Sequence, residues 1–378
     1  MLLVVNAGSS SIKFALFDNA LTQSLSGSLS EIGGDSHLSL DGTTCPVTAP
    51  DHTAALRLIL GALEARGVSP QQLAAAGHRV VHGGQNLTAA TRVTPAVLKA
   101  IAACTPLAPL HNPHNLAAIV ALQAIAPALP QVACFDTGFH ATNPEVARRY
   151  AIPAAEDAKG IRRYGFHGIS YASLVARLTE VSGAPLPRRL LALHLGNGAS
   201  LCAILDGRSV ATTMGYSPLD GLTMGSRAGG IDGNAVLRLA ADHGIEGAGH
   251  ILNRDSGLLA LAGASDMRAL SRSTAPEARF AVQHFCYWAI RHAGSMIAAM
   301  GGLDSVAFTG GIGENDPHVR GEILAGLVWT GLESDGPANH RGAARLHDPG
   351  SRVTAWIVPA AEERQIAAET LDCLAAAG

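Results

Sequence analysis

Two arginines stand where an arginine is costly. Arg79 lies inside the apolar run Gly77-His78-Arg79-Val80-Val81-His82-Gly83-Gly84, and Arg227 lies in Met224-Gly225-Ser226-Arg227-Ala228-Gly229-Gly230. A guanidinium among such neighbours must meet an anion or a set of carbonyls, so each fits either an anion site or a structural salt bridge. Asp136 follows the apolar run 131–135. Strand ends are where α/β sheets meet ligands, although a carboxylate there also serves as a cap or a turn. His167 stands between Gly165 and Gly168, which suits close backbone approach to a ligand and suits a loop histidine equally.

Three glycine-rich segments accompany these side chains: Asn6-Ala7-Gly8-Ser9-Ser10-Ser11, His194-Leu195-Gly196-Asn197-Gly198-Ala199-Ser200 and Thr309-Gly310-Gly311-Ile312-Gly313-Glu314-Asn315. Small residues let backbone N–H groups approach a phosphate, and in the third segment they leave room for a flat ring or sugar. None matches the Walker A spacing or the dinucleotide fingerprint. His78 and His82 have the H-x-x-x-H spacing but lack the glutamate and the helix of zinc hydrolases. Glycine turns, two arginines, a strand-end aspartate, a histidine and the acidic pair Glu362-Glu363 make up the kit that phosphoryl transfer requires.

Alternating strands and helices must position these groups. Apolar runs at residues 2–5 and 12–17 flank the first small-residue turn and predict a hairpin, with Lys13 facing away from Ile12 and Phe14. Residues 54–65 have helical spacing of Leu56, Ile59, Leu60 and Leu63. Short buried strands are expected at 79–81 and 131–135. The proline-rich stretch 105–115 is expected to be an ordered loop. Residues 190–195 and 201–205 repeat the hairpin pattern about a second turn, which implies two related halves. Strands at 305–308 and 354–358 and a helix at 362–374 complete the pattern, and Asp316-Pro317 reads as a helix cap with its first residue. Residues 19–50 carry little readable signal.

Composition sets the outer bounds. The 378 residues are 48% hydrophobic and only 15% charged, with a net charge of −3. That excludes global disorder and offers no basic surface for nucleic acid. Six scattered cysteines without a C-x-x-C suit reduced thiols in a cytoplasmic protein. The N-terminus lacks a signal-peptide pattern, and prolines and glutamines interrupt the most apolar stretch, 116–135, so no membrane span is expected.

In order along the chain, 4–14, 77–84, 163–168, 194–200, 224–227 and 309–315 resemble the signature segments of the acetate kinase family nearly end to end. The resemblance implies an α/β fold of the acetate and sugar kinase/Hsp70/actin (ribonuclease H-like) type, with two related domains around a nucleotide cleft. It implies residues 1–139 plus 360–378 as an N-terminal domain with the C-terminal helix, and 140–359 as the nucleotide-binding domain. It further implies a homodimer and reversible phosphoryl transfer from ATP to acetate with Mg²⁺, for which Mn²⁺ can substitute. A propionate or other short-chain acyl kinase is the alternative.

By position, the resemblance implies catalytic roles for Asp136, Arg79, Arg227, His167 and Asn197, and magnesium association for Asn6 and Glu362. It assigns Val81, Leu110, Phe166 and Pro218, with Arg79, to the acetate. It assigns His194, Gly196, Asn197, Gly198, Asp266, Arg268, Gly311, Ile312, Gly313 and Asn315 to the nucleotide, and Ser9, Ser11 and Lys13 to the N-terminal signature. This chain departs from the family at Ile169 and Tyr171, usually Thr and His, and at Ala361, usually Asn. Gly230-Ile231-Asp232-Gly233 stands where Asp-Ile-Asp-Pro is usual.

Overall fold

Leu2-Leu3-Val4-Val5 are each buried to 1% exposure or less, which only a strand covered on both faces achieves. They begin the first sheet of a computed structural model that describes residues 1–376. The last two residues of the expected 360–378 segment lie outside the described residues. The chain divides into two compact units, Met1–Phe139 with Ala361–Gly378, and His140–Ala360.

The first unit contains β1 (Leu2–Ala7), β2 (Ser11–Phe17), β3 (Gln23–Ser30), β4 (His37–Leu40), β5 (Thr43–Pro46), β6 (Ala75–Val80), β7 (Thr91–Arg92) and β8 (Gln131–Phe135) in the order β5-β4-β3-β2-β1-β6-β8-β7. β1 runs antiparallel to β2 and parallel to β6, and β6 runs parallel to β8. Leu3, Val5, Ile12 and Phe14 share one core with Leu56, Ile59, Leu60 and Leu63 of helix His52–Glu64. The other face is covered by helix Glu362–Ala375, which packs on β1, β6 and β8. A Cβ on Gly77 would lie 2.3 Å from Thr370 Oγ1, so glycine at that point of β6 lets the helix settle on the sheet. Lys13 is exposed between buried Ile12 and Phe14, as alternation requires.

The second unit contains β9 (Arg189–Leu195), β10 (Ala199–Leu205), β11 (Arg208–Thr212), β12 (Ser305–Thr309) and β13 (Thr354–Ile357) in the order β11-β10-β9-β12-β13. β9 pairs antiparallel with β10 and parallel with β12, which pairs parallel with β13. The segment β3-β2-β1-β6-β8 of the first sheet has the same order and the same strand directions.

Local structure departs from the sequence expectations in four places. The 105–115 stretch is not all loop: Thr105–Leu107 is a 3₁₀ turn and helix Asn112–Ile125 has already begun, with Pro113 in its first turn, where the missing N–H costs nothing. Gly310–Asn315 is a short helix, not a loop. Strand β6 stops at Val80, so Val81 lies just past it. Residues 19–50 carry β3, β4 and β5. Asp316 does cap helix Pro317–Ala325, accepting from the N–H groups of His318 and Val319.

Candidate functional site

In the first unit, parallel pairing brings three strand ends together. Val5 lies opposite His78 and Val80 opposite Phe135, so Asn6, Arg79 and Asp136 gather at one edge of the sheet. Arg79 Nε donates to both carboxylate oxygens of Asp136 at 3.1 Å, and its Nη2 donates to Oδ2 at 2.5 Å. Its Nη1 donates to Asn6 Oδ1 at 3.3 Å. Asp136 is 2% exposed. Burial pulls the Arg79 guanidinium pKa down, but Asp136, then Glu362 and Glu363, outweigh it and hold the cation more firmly than usual.

Glu362 opens the C-terminal helix within this field. Burial pushes its pKa up, Arg79 opposes that, and Asp136 and Glu363 add to it, for a net rise. Among the described residues no three His, Cys, Asp or Glu side chains converge into a metal-binding group. Mg²⁺ commonly takes only one or two carboxylates besides phosphate and water. The oxygen donors of Asn6 and Glu362 therefore fit such an ion, and a cation would relieve the electrostatic cost of ionised Glu362.

The other first-unit candidates spread outward. Val81 is 4% exposed, whereas Leu110 is 45% exposed. Ser9 is exposed and Ser11 half-buried in the β1–β2 turn, where Gly8 N–H donates to the Ser11 carbonyl. Lys13 and Glu363 line one shallow pocket along β2–β4.

In the second unit, the β9–β10 turn forms the head of the site. Gly196 N–H donates to the Gly198 carbonyl, and Gly225 N–H donates to the Asn197 carbonyl, both at 3.0 Å. A Cβ on Gly198 would lie 2.9 Å from Arg227 Nη2 and 3.3 Å from His167 Nε2, and one on Gly225 would lie 1.8 Å from Asn197 Oδ1. Glycine at these two positions lets Arg227, His167 and Asn197 converge on the turn. Arg227 Nη1 donates to the Pro218 carbonyl at 2.5 Å. Among the described residues no carboxylate pairs with it, and burial followed by Arg254 lowers its pKa. The His167 and His194 rings stack with centroids 4.1 Å apart. Phe166 is buried, and its carbonyl lies 2.9 Å from His140 Nε2.

Below the turn opens a cavity of about 440 Å³. It gathers Gly196, Asn197, Asp266, Arg268, Gly311, Ile312 and Asn315. Gly313 lies behind this lining, against Phe308 and Leu195. His194 and Gly198 stand at the turn itself. Of the four residues expected around a methyl group, Val81 and Leu110 belong to the first unit and Phe166 and Pro218 to the second.

Several supporting residues escaped the sequence reading. Asn115 Oδ1 accepts from Val81 N–H and its Nδ2 donates to the Ala7 carbonyl, while Asn112 bonds both backbone groups of His82. Both asparagines are nearly or wholly buried, and their i, i+3 spacing on one helix face was the available signal. Ser170, which lies 2.8 Å from His194 Nδ1, gave none, and Ser200, which lies 2.8 Å from His167 Nδ1, was read only as the last residue of the 194–200 segment.

A glycine turn that meets an arginine with no carboxylate partner among the described residues and two imidazoles, beside a cavity lined by backbone and a second arginine, has the donors and positive charge that suit an anionic ligand, on a two-unit α/β protein. The profile of the acetokinase family matches residues 1–368. An acetate kinase of Rhodopseudomonas palustris is 44% identical, over 97% of this chain and 96% of its own. The crystal structure of Porphyromonas gingivalis acetate kinase superposes with a TM-score of 0.91 at 34% identity, covering 99% of each chain. That of a propionate kinase from Francisella tularensis gives 0.92 at 33%, over 97% of this chain and 98% of the other. The chain belongs to the acetokinase family. Its fold is that of the acetate and sugar kinase/Hsp70/actin type.

Proposed function

We propose that this protein is an ATP:acetate phosphotransferase, forming acetyl phosphate and ADP reversibly by direct in-line transfer. The observation that carries the reading is the convergence of Arg227, His167 and Asn197 on the Gly196–Gly198 turn, in a chain whose curated relatives at this level of identity are acetate kinases.

The second unit binds the nucleotide. Gly311, Ile312, Asn315, Asp266 and Arg268 take the adenosine, Gly313 lets that helix sit close to the sheet, and 194–200 takes the phosphates. Ser9, Ser11 and Lys13 of the first unit extend the phosphate-side contacts. Acetate is bound through Arg79, with its methyl assigned to Val81, Leu110, Phe166 and Pro218. Arg79 and Arg227 neutralise the carboxylate and the equatorial phosphoryl oxygens, interactions worth far more in a dry site than in water. Acetate is already ionised at pH 7, so Asp136 is not needed as a base. Its two-oxygen grip on Arg79 makes it an orienting group. His167 and Asn197 flank the transferred group. Asn6 and Glu362 hold Mg²⁺ or Mn²⁺, which when bound supplies positive charge to the phosphate oxygens.

The protein acts in the cytoplasm, a reading its six free cysteines support. It works as a homodimer, for which exposed Phe280 and Tyr287 on helix Pro276–Met300 offer apolar surface. The test is kcat/KM for acetate, propionate and butyrate with Mg-ATP, read by ADP release. Acetate should be preferred, propionate a measurable second and butyrate poor. A clear preference for propionate overturns the substrate assignment.

A further inference from the structure

His194 and Ser200 are direct partners across β9 and β10. They face His167 and Ser170, at the start of helix Gly168–Ser182. The four side chains exchange partners: His167 Nδ1 lies 2.8 Å from Ser200 Oγ, and Ser170 Oγ lies 2.8 Å from His194 Nδ1. Behind them the wholly buried Tyr171 places its hydroxyl 2.6 Å from Ser200 Oγ. His167 itself has left-handed backbone, φ 59°. A non-glycine residue in that region is strained and persists where its surroundings hold it.

We propose that Tyr171 and Ser200 are positioning residues for the phosphoryl transfer, forming a hydroxyl chain that ends on His167 Nδ1 and keeps the ring proton on Nε2. The inference rests on the phosphotransfer reading above. The direction of the chain follows from donor strength and from occupancy. A phenol is a better donor than an aliphatic hydroxyl, and the Tyr171 oxygen also accepts from the His194 backbone N–H. Tyr171 therefore donates to Ser200, and Ser200 donates to Nδ1. Nδ1 becomes an acceptor, so in the neutral ring Nε2 carries the hydrogen. Nε2 is the atom that faces the Gly198 turn beside Arg227. The chain thus presents an N–H donor where a phosphoryl oxygen would come to rest, and the opposite tautomer would present a lone pair to an anion.

The test uses the full-length protein labelled with ¹⁵N-histidine, with the His167 signals identified by their loss in His167→Gln. Wild-type His167 should show the Nε2–H pattern of ¹⁵N shifts. Ser200→Ala should mix the tautomers and lower kcat by about tenfold, with KM for ATP and acetate within about twofold, the usual scale for a lost orienting bond. Tyr171→Phe, which removes one oxygen from the core, should act in the same direction less strongly and carries the test alone if Ser200→Ala does not fold. An Nδ1–H tautomer in the wild type, unchanged ¹⁵N shifts in the variants, or a shifted tautomer with unchanged kcat would each overturn the proposal. The tautomer is read without turnover. Absence of acetate-dependent ADP release in the wild type therefore refutes the phosphotransfer reading, whereas the wrong tautomer refutes the hydroxyl chain.

Discussion

The two units share a strand order and put different chemistry at the same edge of it. In the first, the ends of β1, β6 and β8 carry Asn6, Arg79 and Asp136, with Arg79 bonded to each of the other two. In the second, the end of β9 runs into Gly196 and the end of β12 into Gly310 and Gly311. Gly310 has φ 81°, and a Cβ there would lie 2.8 Å from the Leu195 carbonyl. One edge offers charged side chains and the other offers backbone and space. Their arginines differ accordingly. Arg79 is neutralised by a buried carboxylate, whereas Arg227 is half-buried and has no carboxylate partner among the described residues. One scaffold therefore yields a pre-paired, rigid cation and an uncompensated one that awaits an anion.

The sharpest test of this contrast is the pair of alanine variants. Arg227→Ala and Arg79→Ala should each lower kcat by ~10²-fold or more, the scale of a lost electrostatic donor. Only Arg79→Ala should also lose stability, by about 2–3 kcal/mol, because it leaves Asp136 buried without its cation. Lysine should rescue either only partly, lacking the planar fork. Steady-state kinetics and denaturant melts read both, and a larger stability loss for Arg227→Ala would break the contrast.

Acid should strike the first unit through His78 and His82. Burial lowers both from 6.5 to about 4, with a bond to Gln131 partly opposing it at His78. Their neutral forms are favoured by folding, so stability is full above pH 6.5 and is lost as pH falls toward 4. The loss is up to about 3 kcal/mol for each histidine. Hydrogen exchange between pH 7 and 4.5 should show β1, β6 and β8 losing protection ahead of β9 and β12. Equal loss in both sheets would count against the assignment.

Glu362 gives a smaller effect of opposite sign. Its carboxyl pKa is raised in the folded protein, chiefly by burial. Its contribution is therefore most favourable at low pH and declines as pH rises through the folded value. Glu362→Gln should melt higher than wild type at pH 8 without metal, with the difference vanishing toward pH 4, while needing more Mg²⁺ for activity than Glu363→Gln does. Identical metal requirements for the two variants would contradict the role given to Glu362.

The smallest effect concerns Val81. Trimming one apolar side chain alters discrimination by only ~1–3 kcal/mol, so Val81→Ala should raise propionate use relative to acetate by roughly 10-fold. An unchanged ratio means that Val81 does not contact the acyl group.

Much of this protein was legible in its sequence because the signals are local. Apolar runs broken by glycine gave both hairpins and the parallel strands β8, β12 and β13, and Arg79, Asp136, Arg227 and the glycine turns stand out by residue type alone. The resemblance to a known family supplied the roles that residue type left open. Tertiary structure decided the rest, since the deciding contacts join residues far apart in the chain. Proline and asparagine at 112–115 read as loop, yet the helix forms because its asparagines are satisfied by the backbone of Val81, His82 and Ala7. The glycines at 310–313 read as a loop and fold as a helical turn, where Gly310 N–H donates to Glu314 Oε1. That Arg79 is neutralised and Arg227 is not was beyond the sequence, which places an arginine near glycines but does not say which carboxylate, 57 residues away, will reach it. Pairing of that kind is set by strand register and burial, and both exist only once the sheet has formed.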